Sequence, residues 1–210
     1  MPSRKGDLRR TAIADTIIEI LATHGSRGLT HRAVDAAAGL PDGSSSYYFR
    51  SRGALLIAAA ERLAQLDMVG DGDPEPAVAA EPVTGVGDLC DRFAHLVHEQ
   101  ATTHRRRTVA RYELSLEATR NPEVAAVITE IGSRFTEVAA RTLGNLGTRD
   151  PLSDARALIA VCAGLVFEST LGAQQPYTEQ EMRAVIFDLL TARTLAVVPE
   201  ANQDALSSGA

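Results

Sequence analysis

The stretch from Leu29 to Leu56, LTHRAVDAAAGLPDGSSSYYFRSRGALL, constrains the fold more than any other because it sets short helical segments on either side of an enforced turn. Thr30 offers a hydroxyl that caps a helix, and His31 to Ala38 puts Val34 and Ala37 on one face at an i, i+3 spacing. Gly39 then supplies the left-handed conformation that ends a helix. Leu40-Pro41-Asp42-Gly43 does not readily prolong it, since proline lacks an amide donor and drives the residue before it toward extended geometry. From Gly43 to Arg50 there is room for about two helical turns. Phe49 is the residue to bury there, while Ser44, Ser46, Tyr47 and Tyr48 face outward. Hydroxyls and polar-tipped rings suit base edges and phosphates, so the segment reads as a helix-turn-helix.

The flanking residues supply what such a unit needs. A helix from about Asp7 to His24 repeats Ile13, Ile17, Ile20 and Leu21 at helical spacing and should roof the two later helices. Ahead of it, Arg4, Lys5, Arg9 and Arg10 read as a flexible arm that reaches phosphate or a minor groove. After Arg52 a helix runs to about Val69, with Leu55, Leu56, Ala59, Leu63 and Leu66 on one side. Net charge, −6 for the whole chain, argues against a nucleic-acid partner only until it is divided. Residues 1–52 hold 8 Lys/Arg against 5 Asp/Glu, a balance of +3 that leaves −9 for the remainder. A basic head on an acidic body suits a protein whose first domain meets phosphate.

The remainder reads as further helices. Aromatic residues make up 4% of the chain and there is no Trp, so the core is aliphatic and alanine-rich, which favours helix over sheet. Gly70 to Gly87 has the Gly, Pro and acid content of a linker; its acids lack the spacing of a calcium loop. Helices follow over about Asp88–Thr103, Arg106–Thr119, from Asn121-Pro122, from Asp150-Pro151 to about Leu171, and from the capping box Thr178/Glu181 to about Val197. The tail beyond Pro199 reads as disordered. Asp91, His95 and His98 share a helix face, but as a solvated face rather than a metal site. Cys90 and Cys162 lie among apolar residues and read as buried free thiols. The longest apolar run, Ala157 to Phe167, is too short to span a bilayer and no signal peptide is evident, so a cytoplasmic protein without membrane contact is expected.

Two groups of body residues carry expectations. Phe93, Val97, Tyr112, Leu116, Phe135 and Phe167 are candidates to line a pocket for an apolar or amphipathic small molecule, with Arg111, Glu113, Glu117 or Glu168 to orient a polar group. The last two helices, with Leu158, Cys162, Leu165 and Val166 on one and Met182, Val185, Ile186 and Leu189 on the other, hold more apolar surface than one partner helix covers and so suggest a dimer interface. No phosphate-binding glycine loop, nucleophile elbow or histidine–acid pair beside a nucleophile points to an enzyme, and no cofactor or metal is implied.

The order Thr30, Ala38-Gly39-Leu40, Tyr47-Tyr48-Phe49, Ser51-Arg52, Leu55-Leu56 resembles the DNA-binding domain of the tetracycline-repressor (TetR) family, whose usual form is about T-x-R-x-I-A-x-x-A-G-V-S-x-G-T-L-Y-x-Y-F-x-S-K-x-x-L. Arg32, Gly43, Phe49 and Ser51 match as they stand. Pro41, Ser46, Arg52 and Asp35-Ala36 depart from it. The resemblance implies an all-α protein with a three-helix helix-turn-helix head over residues 1–52, a connecting helix over 53–69, a linker over 70–87, a helical effector-binding and dimerisation domain over 88–198, and a tail over 199–210. It implies a homodimeric repressor that binds a near-palindromic operator in double-stranded DNA through Thr30, His31, Arg32, Asp42, Gly43, Ser44, Ser46, Tyr47, Tyr48 and Arg52, and that lets go when a small molecule enters the body. The alternative is a helical small-molecule-binding or interaction module with degenerate DNA binding.

Overall fold

A computed structural model of the chain describes residues 4–69, 83–172 and 175–194. Among the described residues all regular structure is helical: α1 (Arg4–His24), a 3-10 turn (Ser26–Gly28), α2 (His31–Ala37), α3 (Ser44–Tyr48), α4 (Arg52–Val69), α5 (Val86–Ala101), α6 (Arg105–Ala118), α7 (Pro122–Asn145), α8 (Pro151–Leu171) and α9 (Glu179–Thr194). Side-chain acceptors set several of the starts, each satisfying amides that the first helical turn leaves without a partner. Thr30 Oγ1 accepts from the Ala33 amide at 3.1 Å, Asn121 Oδ1 from Glu123 and Val124 at 3.1 and 3.3 Å, and Asp150 Oδ1 from Ser153 at 3.1 Å. The Thr178/Glu181 box closes in both directions, at 2.8 and 3.2 Å.

Three boundaries differ from expectation. α1 begins at Arg4, so Arg9 and Arg10 ride on a helix rather than on a flexible arm. The third helix is five residues, Ser44–Tyr48, since Phe49 is already extended at φ −133°, ψ 100°. α5 begins at Val86, inside the expected linker; the rest of that linker over 70–82, and the tail over 199–210, lie outside the described residues.

The chain divides into two compact units: α1 to α4 with Glu99–Arg134, and Val83–His98 with the chain from Phe135 onward. The first shares one aliphatic core. Ile13, Ile17 and Leu21 of α1 pack with Leu29, Val34, Leu55, Leu56 and Leu63, and α6 adds Ala110 and Leu114. The expected boundary at residue 52 is therefore not where packing ends, because α1 buries one side of its surface against α4 and α6. In the second unit α8 and α9 pack together, and Arg193 near the end of one meets Asp154 near the start of the other at 2.6 Å, so the pair runs antiparallel.

Burial changes the two body-residue assignments. Leu158, Cys162, Leu165, Val166, Met182 and Ile186, expected at a dimer interface, are core residues of the second unit; Val185 is exposed and Leu189 half-buried. Both helices are apolar on more than one face, so composition alone could not tell the inward stripe from the outward one. The exposed positions of α8 are Leu152, Ser153, Arg156, Ala160, Ala163, Gly164, Phe167, Glu168 and Leu171, so its outward stripe is mostly small or apolar toward its C-terminal half, with Arg156 and Glu168 among them. Of the expected pocket residues, Arg111, Tyr112 and Leu116 belong to the first unit and Phe93, Val97, Phe135 and Phe167 to the second. Leu116 (56% exposed) and Phe167 (47%) are exposed, because the period of α6 turns Ala110 and Leu114 inward and that of α8 turns Leu165 and Val166 inward. Val97 is buried, Phe93, Tyr112 and Phe135 are half-buried, and Arg111 is held by Asp67 at 2.6 Å.

Candidate nucleic-acid interface

The turn between α2 and α3 is built on two glycines with positive φ, Gly39 at 62° and Gly43 at 88°, a region that side chains with a Cβ rarely enter. They bring α3 back across α2. A helix of five residues makes too few internal bonds to hold itself, so neighbouring side chains must fix it. Asp35 does so at its start: its carboxylate, in a residue only 1% exposed, accepts the Gly43 amide at 2.8 Å and the Ser45 amide at 2.7 Å. Burial pushes that carboxyl up, but the Ser45 and Gly43 hydrogen bonds and the nearby His31 outweigh it, and the net shift is downward. Ser45 is fully buried, and its hydroxyl donates to the His31 carbonyl at 3.2 Å.

The end of α3 is held as firmly. His31 donates from Nε2 to the Phe49 carbonyl at 2.6 Å, and the Arg10 guanidinium lies 5.5 Å from the Tyr48 ring centre and 5.6 Å from that of Phe49. Tyr47, 79% exposed, meets Tyr48 edge to face at 5.2 Å and 88°. Ser44 and Ser46 donate back to the carbonyls of Pro41 and Gly43, at 2.6 and 2.7 Å, which leaves hydroxyl lone pairs available outward. An open groove beside α3 is lined by Arg9 of α1, the Leu40–Gly43 turn, Ser44 and the two tyrosines.

The sequence-derived site residues thus fall into groups. Arg32, Asp42, Gly43, Ser46 and Tyr47 are exposed along the α2–α3 unit, with Ser44 and Tyr48 half-buried beside them. Thr30 and His31 hold structure, one as the cap of α2 and the other at the end of α3. Arg52, expected to contact a DNA phosphate, is engaged inside the protein instead: Nη1 reaches Glu117 Oε2 at 2.9 Å and Nη2 the Ser26 carbonyl at 2.7 Å. Hydrogen bonding from Arg52 is the main reason that the Glu117 carboxyl is lowered to about 2, against a burial penalty and with help from the Ser26 hydroxyl and Arg120. Two residues escaped the sequence reading, Asp35 and Ser45, and two that were expected to orient a polar group in a pocket have other partners: Glu113 accepts the Ser26 amide at 2.8 Å, and Glu117 pairs with Arg52. Asp35 was visible only as a departure from the alanine of the family pattern. Glu113 and Glu117, one helical turn apart on α6, carried no local signal for partners 87 and 65 residues away.

On the face that Asp91, His95 and His98 share, Asp91 is bonded to Arg183 and His95 faces Glu179 at 3.3 Å. Burial pushes the Cys162 thiol up to about 12 and raises that of Cys90, the direction opposite to that of a reactive cysteine. Among the described residues no helix is long and apolar enough to cross a membrane.

Residues 84–192 match the family described as tetracyclin repressor-like, C-terminal domain. Among solved structures, the multidrug binding protein EbrR complexed with proflavin is 31% identical, over 86% of this chain and 99% of that one, with a TM-score of 0.59. EbrR complexed with ethidium superposes with a TM-score of 0.67 at 30% identity, over 86% of this chain and 98% of that one. SCO1917 from Streptomyces coelicolor A3, a member of the TetR family, is 31% identical over 86% of this chain and 97% of its own, also with a TM-score of 0.67. None of the curated proteins matches the chain.

Proposed function

Because the chain belongs to the tetracycline-repressor (TetR) family of transcriptional regulators, which are not enzymes, we propose that it is a homodimeric repressor that reads a near-palindromic duplex through α3 and is released by a small molecule. The observation that carries this reading is the α2–α3 unit itself. A five-residue helix is pinned at both ends and presents Ser44, Ser46 and the 79% exposed Tyr47, with Arg9 lining the same groove and Arg32 exposed on α2. Rigid polar side chains flanked by cations suit base edges framed by phosphates. Two such units per molecule would meet successive major-groove faces of one duplex.

Dimerisation is assigned to the outward stripe of α8, where Ala160, Ala163 and Gly164 permit close approach and Phe167 and Leu171 supply apolar area, with Val185 of α9 beside them. The effector is a small apolar or amphipathic molecule. Proflavin and ethidium, both flat aromatic cations, are the first probes, because EbrR binds them. Selection of duplexes from a random pool by the purified protein tests the central reading. One family of near-palindromic sequences should emerge, and its binding should weaken as salt rises; recovery of unrelated sequences would refute it. Dye binding is measured on the protein without DNA, since both dyes intercalate. An inducer must raise the melting temperature of the protein and reduce its affinity for the selected duplex.

A further inference from the structure

We infer that Asp35 is a positioning residue of the DNA-reading surface: its buried carboxylate, by accepting the amides of Gly43 and Ser45, sets α3 in place before a duplex arrives. The inference rests on the proposed reading of α3 and adds the residue on which its discrimination depends. Three observations lead to it. First, α3 has five residues and starts from Gly43, whose φ of 88° belongs to the one residue type that leaves such a conformation freely. Second, the carboxylate lies on α2, eight and ten residues before its two partners, so it ties one helix to the start of the next instead of merely capping its own. Third, among the described residues the carboxylate's hydrogen-bond donors are the Ser45 and Gly43 amides rather than a cationic side chain, with His31 nearby. The position carries alanine in the resembled pattern.

The tie has a consequence for recognition. The Gly43 and Ser45 amides, given to Asp35, do not serve a DNA phosphate. General attraction to DNA then rests on cations outside the tie, such as Arg9 and Arg32, and discrimination on the side chains whose direction Asp35 maintains, Tyr47 foremost. Loosening the start of α3 should therefore cost selectivity well before it costs non-specific affinity.

The test compares wild type, Asp35→Asn and Asp35→Ala. Asparagine keeps the shape but replaces one acceptor with an amino group that opposes an amide donor; a role in packing alone would make it equal to wild type. Amide hydrogen exchange over residues 43–49 of the free protein should quicken about tenfold or more in both variants, with α1 and α8 unchanged. Preference for the duplex selected by the wild type over sheared mixed-sequence DNA should fall about tenfold or more, while affinity for the mixed DNA stays within about twofold. Asparagine retaining wild-type protection and preference would overturn the inference. If the wild type selects no duplex, the regulator reading fails, and hydrogen exchange in the asparagine variant decides the role of Asp35 by itself.

Discussion

Replacing Glu117 with glutamine should weaken the attachment of α6 to the start of α4, by an amount that can be worked out from its surroundings. The Glu117 side chain is 12% exposed, pairs with Arg52 at 2.9 Å and Arg120 at 3.3 Å, and has its carboxyl held at about 2 instead of the ordinary 4.5. At about 1.4 kcal/mol for each pH unit, that interval sets a ceiling of roughly 3 kcal/mol. The Arg52 side chain is 43% exposed, and solvent screening of that end brings the expected loss to about 1–2 kcal/mol. Because the folded carboxyl is the stronger acid, its contribution is fully present above pH 4.5 and disappears as pH falls from there through about 2. Urea unfolding of wild type and Glu117→Gln at equal protein concentration should separate the two by this amount at pH 7 and bring them together toward pH 2. A gap under about 0.5 kcal/mol at pH 7, or one that persists undiminished in acid, would refute the assignment of Glu117 as the charged partner of Arg52.

Further outcomes follow from the same contacts. Arg52→Ala should lower DNA affinity without changing the slope of log affinity against log salt, because the guanidinium serves Glu117 and Ser26; a slope reduced by about one would restore it as a phosphate contact. Tyr47→Ala, at a 79% exposed position, should leave stability within about 0.5 kcal/mol of wild type yet cost about 1–3 kcal/mol of preference for the selected duplex in competition binding. Phe167→Glu, on the outward stripe of α8, should shift sedimentation from dimer toward monomer with the helical circular dichroism signal intact; an unchanged dimer would exclude that stripe from the interface.

Local chemistry made much of the fold legible before any coordinates. Thr30, Asn121, Asp150 and the Thr178/Glu181 box announce helix starts because a cap and its amides are three residues apart or fewer, and the observed bonds lie where the spacing places them. Gly39 announces a helix end because its left-handed φ is a property of the residue. Where one helix is apolar on several sides, as α8 is, the pattern says that it is buried without saying which face. Leu158 and Leu165, expected at an interface, are buried within the second unit, and Phe167, expected to line a pocket, is 47% exposed.

The candidate site divides in the same way. By itself the sequence determined that a helix-turn-helix exists, that Ser44, Ser46 and Tyr47 lie on its outward face, and that the chain belongs with the regulators it resembles, because turn residues and side-chain identity act over a few positions. Only the tertiary structure decided which partners the charges have inside the protein. Arg52 was read from sequence as a phosphate contact and pairs with Glu117 in space; Asp35 was an anomaly in sequence and holds the Gly43 and Ser45 amides at the start of α3 in space. A charge takes its role from what approaches within about 3–4 Å, and here the chain brings together residues up to 87 positions apart to settle it.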